Sequence, residues 1–269
     1  MLDSEKLQTL AGDLKDKYHE AEPFPNICID NFLPDDVAKK ISEYFPSPKE
    51  MLSANKYQDY EKRIALDPED DNFPKELEDI FNELNSYKII NFLEKVTGIH
   101  GLLPDPHYIG SGLIHTLPGG KLPLHVDFTE HKYLKLHRRI NVLIYFNEDW
   151  KDEYGGGIEL WSQDGVTKVV DIKPDYNRCV IFTVSEKSWH GHPDPIRCPQ
   201  GVTRRSLNLY FYTKDNNPEQ NNEISWTKHL KRKDSFQDTI IWPFVKFAYL
   251  ITPPIVSKFV KKLLAVRNS

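Results

Sequence analysis

Apolar positions change their spacing along the 269 residues, and each change marks a new kind of structure. Over residues 5–20, Leu7, Leu10 and Leu14 recur at helical intervals among charges and predict one short amphipathic helix. Asn26-Ile-Cys-Ile-Asp30 follows as a strand-like run. Pro34 with the acidic pair Asp35-Asp36 then suits a helix start, and Val37, Ile41 and Phe45 supply its buried stripe. Residues 53–71 are polar and aromatic without a sustained period, which predicts a loop able to fold over a cleft, its role left open by the sequence. Helical spacing returns over 74–97 (Leu77, Ile80, Phe81, Leu84, Ile89, Phe92, Leu93, Val96) and stops at Gly98, a residue suited to a left-handed helix end.

Beyond Gly98, short runs rich in Val, Ile, Tyr and Phe alternate with turn signals such as Pro118-Gly-Gly120, Gly155-Gly-Gly157, Asp164-Gly165 and Lys173-Pro174-Asp175. Strands are expected near 111–117, 123–128, 139–147, 157–162, 166–172, 178–184 and 205–213. No helices alternate with them, so the pattern predicts a mainly β fold with helical flanks, a two-sheet jelly roll rather than an α/β sheet. The expected organisation is a support region at 1–100 integral to the domain, a core at 101–215 and a basic, partly helical extension at 216–269.

Composition narrows this by exclusion. A hydrophobic share of 39% suffices for a packed interior. The formal charge of −5, with no basic face in the central region, predicts no nucleic-acid partner. Cys28, Cys179 and Cys198 are odd in number and form no CxxC pair, which argues against a disulfide framework or zinc knuckle and fits a reducing compartment. The N-terminal residues lack a secretory pattern and no run of about 18 apolar residues occurs, so a cytoplasmic protein is expected. From Ile224 onward, Lys228, Lys231, Arg232 and Lys233 precede apolar patches and a last stretch carrying Lys258, Lys261 and Lys262. A helical layer on the domain is favoured there over a basic element making peripheral contact with a membrane.

The candidate chemistry begins in Pro123-Leu-His125-Val-Asp127-Phe128, where an imidazole and a carboxylate two residues apart in a strand share one face. A third ligand can come from Ser188-Trp-His190-Gly-His192-Pro193, in which both histidines have the same parity. Two imidazoles and one carboxylate on one side of a metal make a facial triad, which leaves coordination positions open for co-substrate and dioxygen. A lone His-x-Asp is weak, and His192-Pro193-Asp194 is read as accidental because it lies between prolines. His115 is read as a hydrogen-bonded structural histidine, while His131 and His137 are expected in a polar loop, exposed or facing substrate. His192, Arg138 and Glu159 are further candidates for substrate contact.

Residues 107–213 resemble the catalytic core of the prolyl 4-hydroxylase-like branch of the 2-oxoglutarate and iron(II)-dependent dioxygenases. The motifs occur in that family's order: Leu117-Pro-Gly-Gly120 into His125-Val-Asp127, Arg139 to Trp150, Gly155-Gly-Gly157, Trp189-His190, and Arg204-Arg-Ser206-Leu-Asn-Leu-Tyr-Phe211. The resemblance implies a double-stranded β-helix with Fe(II) held by His125, Asp127 and His190, the last preferred over His192 because the family's distal ligand follows an aromatic residue. It also implies a basic residue for the far carboxylate of 2-oxoglutarate at Arg204 or Arg205. If Ser206, Asn208 and Tyr210 face inward, parity selects Arg204. Tyr145 occupies the family's place for a tyrosine on the same carboxylate, and Asn141 and Ser206, on the inward side, are expected to bind the co-substrate with it. The expected reaction is hydroxylation of an unactivated C–H bond, a prolyl residue among the candidates, with release of succinate and CO2 and with ascorbate as a candidate reductant. The expected partners are 2-oxoglutarate, O2 and a peptide, protein or small-molecule substrate. A cupin-like metalloprotein with other chemistry and a non-catalytic binding protein on the same fold are the alternatives.

Overall fold

A computed structural model describes residues 2–52, 57–58, 61–214 and 227–230. Most of the C-terminal extension, with the basic and apolar patches expected to form a helical layer or touch a membrane, lies outside these residues.

Helix α1 (Ser4–Glu20) is capped by Asp3, whose carboxylate accepts from the Glu5 and Lys6 amides, and it buries Leu7, Ala11, Leu14 and Tyr18 along one face. Strand β1 (Asn26–Ile29) leads to α2 (Asp35–Tyr44) and the short α3 (Pro48–Leu52). The segment expected to be a loop contains strand instead: β2 (Tyr57–Gln58) pairs with β3 (Arg63–Leu66), and β3 adds to the main sheet. Only Ile64 and Leu66 of β3 are buried, an alternation too short to stand out from the polar text around it.

Helical spacing over 74–97 resolves into two helices, α4 (Lys75–Leu84) and α5 (Tyr87–Thr97). The break falls where Asn85 donates to the Phe81 carbonyl and Ser86 to that of Glu83, side-chain bonds that compete with continued helix. Gly98 ends α5 at φ +67°, a conformation that glycine adopts without strain.

The remaining strands are β4 (Leu103–Pro104), β5 (Gly112–Thr116), β6 (Leu122–Val126), β7 (His137–Tyr145), β8 (Ile158–Trp161), β9 (Lys168–Ile172), β10 (Arg178–Thr183), β11 (His190–His192), β12 (Arg204–Thr213) and β13 (Lys228–His229). All pairings are antiparallel. One sheet runs β1-β10-β7-β12-β5-β3-β2 with β4 also on β12, and the other runs β13-β6-β11-β8-β9. Every strand expected from 111 to 213 is present within a few residues, and β11 is the addition that matters to the site.

Strand alternation divides the large sheet between two tasks. Ile140, Val142 and Ile144 of β7, Cys179 and Ile181 of β10, and Leu207, Leu209 and Phe211 of β12 join the apolar stripes of the helices in one core cluster. The alternate residues Leu143, Tyr145, Val180 and Phe182 turn the other way and pack against Ile158, Leu160 and Ile172 of the smaller sheet. Both faces of the large sheet are thus covered, and the polar residues of its inner face line a cavity between the sheets.

Candidate metal and co-substrate site

His125 of β6 and His190 of β11 are directly opposed across the antiparallel ladder, and their ring centroids are 4.3 Å apart. Asp127, two residues beyond His125, shares that face. Its Oδ1 lies 3.5 Å from Nε2 of His125 and its Oδ2 3.4 Å from Nε2 of His190. One ligand atom from each residue lies within 4.8 Å of the other two, and all three residues are buried. The structure thus brings together the three residues expected around iron. His192 lies one inward position further along β11 and is not part of this cluster.

The groups around the triad suit a metal. Nδ1 of His125 is 2.8 Å from the Pro123 carbonyl, and Nδ1 of His190 is 2.8 Å from that of Ser188. An Nδ1–H donated to each carbonyl leaves the Nε2 lone pair of both rings directed toward Asp127. Burial, reinforced by the neighbouring His125, pushes His190 down to about 4, so its imidazole is neutral near pH 7. Burial alone would push the Asp127 carboxyl up. Arg138 and the two imidazoles outweigh it and hold Asp127 well below the usual carboxylate range. Two imidazoles and an anionic carboxylate make the donor set of a divalent non-haem metal.

Arg138, expected to meet substrate, is instead tied to Asp127. Its Nη2 lies 3.1 Å from Oδ2, and its guanidinium forks onto Asn141 Oδ1 at 2.9 and 2.7 Å while lying 3.5 Å above the Tyr210 ring. Asn141 completes the triangle by donating to the same Oδ2 at 2.7 Å. Asn141 was expected to touch the co-substrate. It lines the cavity, but its side chain bonds Asp127 and Arg138.

At the other end of the cavity, Arg204 opens β12 and is 6% exposed. Nε donates to the Gly156 carbonyl at 2.7 Å and Nη2 to the Tyr145 hydroxyl at 3.1 Å, with no carboxylate paired to it among the described residues. Gly156 allows this approach: at φ +74°, an added Cβ would come 3.0 Å from Ile196 and 3.3 Å from Arg204 Cδ. Burial works against the charge of Arg204 and raises the Tyr145 phenol. Arg205 faces the other way, its guanidinium 5.7 Å from the Phe45 ring. Ser206, Asn208 and Tyr210 line the cavity with Arg204, and Ile114, Leu143, Ile158 and Phe182 form its apolar wall. A buried guanidinium lacking a carboxylate suits the anionic end of a dicarboxylic acid.

Several expectations for other residues change. His131 is fully buried, its Nε2 2.9 Å from Asp105 and its Nδ1 receiving the amides of Tyr133 and Leu134, while His137 is buried at the start of β7. Asp105 and these local turns anchor what reads in sequence as a polar loop. Glu159 is bonded to Trp161 and Lys168. His115 is structural as expected, held between Thr203 and the Pro46 carbonyl. Glu61, Arg63 and Lys121 also line the cavity and were missed: Glu61 lies in the turn before β3, and Arg63 opens that unrecognised strand.

Comparison with known proteins follows this geometry. Residues 111–212 match the family profile described as the 2OG-Fe(II) oxygenase superfamily. They form a 2-oxoglutarate and Fe(II)-dependent oxygenase domain. No curated protein matches the chain. Among solved structures, a prolyl hydroxylase from Trichoplax adhaerens, in complex with a hypoxia inducible factor oxygen degradation domain peptide fragment, is similar at 14% identity, covering 77% of this chain and 91% of its own (TM-score 0.55). A prolyl 4-hydroxylase from Phytophthora capsici is similar at 18% identity, covering 91% of this chain and 75% of its own (TM-score 0.55). At these identities the likeness is one of fold, the double-stranded β-helix. The domain is of the class that uses Fe(II) as metal and 2-oxoglutarate and O2 as co-substrates.

Proposed function

We propose that the enzyme hydroxylates a prolyl residue of a peptide or protein, with Fe(II) held by His125, Asp127 and His190 and the far carboxylate of 2-oxoglutarate received by Arg204 and Tyr145. The observation that carries the site assignment is that one cavity holds a three-residue ligand cluster and a buried guanidinium with no carboxylate partner among the described residues. A buried cation without a counter-charge is costly, and a dicarboxylate co-substrate would supply the charge it lacks. The peptide substrate is supported by the fold shared with the Trichoplax adhaerens enzyme, whose structure contains a peptide.

Bound iron and co-substrate supply the activation of dioxygen coupled to oxidative decarboxylation, from which succinate and CO2 leave. The protein's residues do the rest. The carbonyls of Pro123 and Ser188 fix the imidazole tautomers, Asn141 and Arg138 orient the carboxylate, and the apolar wall of Ile114, Leu143, Ile158 and Phe182 keeps water from the reacting groups. The test is anaerobic addition of Fe(II) and 2-oxoglutarate, followed by succinate assay with prolyl peptides and small molecules. A visible charge-transfer band with peptide-stimulated succinate formation is expected. Absence of the band would refute the site assignment, and succinate stimulated only by small molecules would refute the peptide substrate.

A further inference from the structure

His192 lies in the same cavity as Arg204 and Tyr145, and nothing assigned so far uses it. It shares the inward face of β11 with His190, two positions away, and the pairing with β6 shifts register between them, so that His192 lies opposite Leu122. Gly191 between them allows the strands to close, since an added Cβ would come 2.7 Å from the Leu122 carbonyl oxygen. The residue is 4% exposed, and its Nδ1 has no hydrogen-bond partner among the described residues. Buried polar nitrogens are seldom left so, and those that are commonly sit where a ligand or water completes them. Arg204 and Arg63 line the cavity with it. A guanidinium offers only donors, so neither arginine can accept from an imidazole N–H. An acceptor that meets this nitrogen and Arg204 together has the chemistry of a carboxylate.

We propose that His192 is a co-substrate-binding residue, whose imidazole N–H joins Arg204 and Tyr145 in holding the far carboxylate of 2-oxoglutarate. This rests on the assignment of the cavity to 2-oxoglutarate and adds to it a third group that favours a dicarboxylate over a 2-oxo acid ending in an alkyl chain. No proton is transferred and no covalent bond is made: the ring acts as a hydrogen-bond donor.

The test is equilibrium binding without turnover, using protein loaded with Mn(II) under anaerobic conditions and titrated with 2-oxoglutarate or with 2-oxopentanoate, which lacks the second carboxylate. In His192→Phe, which keeps a planar ring and removes the donor, 2-oxoglutarate is expected to bind about tenfold more weakly, in line with one lost hydrogen bond to a charged group. Binding of 2-oxopentanoate and of Mn(II) should be unchanged, and His192→Gln should recover part of the loss. A second measurement needs no variant: with ¹⁵N-histidine in the Zn(II)-loaded wild type, the His192 Nδ1 resonance should move on adding 2-oxoglutarate. Phe and wild-type proteins that bind 2-oxoglutarate equally, or an Nδ1 resonance that stays in place as the ligand binds, would overturn the proposal and leave the cavity assignment standing. A wild type with no metal-dependent binding of 2-oxoglutarate would overturn both.

Discussion

Arg138 and Asp127 form an ion pair closed off from solvent: Nη2 lies 3.1 Å from Oδ2, and the side chains are 2% and 11% exposed. The guanidinium also forks onto Asn141, which donates to the same carboxylate oxygen, so one arginine fixes both the charge and the orientation of Asp127. In Arg138→Met the carboxylate keeps one neutral donor and loses its counter-charge. Breaking one side of a buried pair costs about 3–5 kcal/mol, and disturbing the partners of a metal ligand costs about 10–100-fold in metal affinity. Both losses are expected, read by denaturant unfolding of the metal-free protein and by Co(II) titration. Arg138→Lys should recover stability better than affinity, because an ammonium cannot bridge Asp127 and Asn141 as a fork does.

Why Arg138 was not legible shows the limit of strand parity. From Asn141 and Tyr145, strict alternation along β7 places Arg139 inward and Arg138 outward. The ladder instead shifts register between Phe211 and Tyr212, which pair with Ile140 and Arg138, so Arg139 is an extra residue and Arg138 turns toward Asp127. A bulge of this kind leaves no mark in hydrophobic periodicity. Where alternation is unbroken, as from Arg204 to Tyr210 on β12, parity selected Arg204 over Arg205 correctly as the cavity-facing residue. His125-Val-Asp127 was legible for the same reason, since two residues apart on a strand means one face. The distal histidine required more. Its strand is three residues long, and its pairing to His125 is set by β6 and β8 on either side rather than by any local pattern.

The two inward histidines of β11 should separate by function. His190→Ala, like His125→Ala and Asp127→Ala, removes a member of the three-residue cluster and is expected to abolish the charge-transfer band. His192→Ala should retain metal binding, because its imidazole is not among those ligand atoms. Co(II) absorption spectra of the four variants decide the point, and loss of metal in His192→Ala with retention in His190→Ala would exchange the assignments.

Arg204 should be more valuable to the loaded protein than to the empty one. Hydrogen bonds to charged groups contribute about 1.5–3 kcal/mol each, so Arg204→Met is expected to weaken 2-oxoglutarate binding at least tenfold. The metal-free protein should lose little stability and can gain some, since the substitution removes a buried charge that no carboxylate neutralises among the described residues. Tyr145→Phe deletes one neutral partner of the guanidinium and should cost tenfold or less. Co-substrate titration alongside unfolding of the same preparations tests this opposition, and parallel loss of stability and affinity in Arg204→Met would show Arg204 to be a structural residue.

His115 carries a pH dependence whose sign follows from its burial. Desolvation, partly offset by the Pro46 carbonyl and reinforced by Arg205, pushes it from 6.5 down to about 4. The unfolded chain therefore binds a proton between these values that the folded chain does not. Stability from this group is complete above about pH 6.5 and is lost as pH falls toward 4, at up to about 1.4 kcal/mol per pH unit. His190 and His192 are held down by burial too and act in the same direction, so replacing His115 reduces the slope without abolishing it. His115→Gln removes the titration while keeping an amide able to meet Thr203 or the Pro46 carbonyl. Urea unfolding of metal-free protein at several pH values between 4 and 7 should give a flatter stability curve for the variant, whatever its absolute stability. Parallel curves for variant and wild type would mean that His115 takes up its proton in the folded protein as readily as in the unfolded chain.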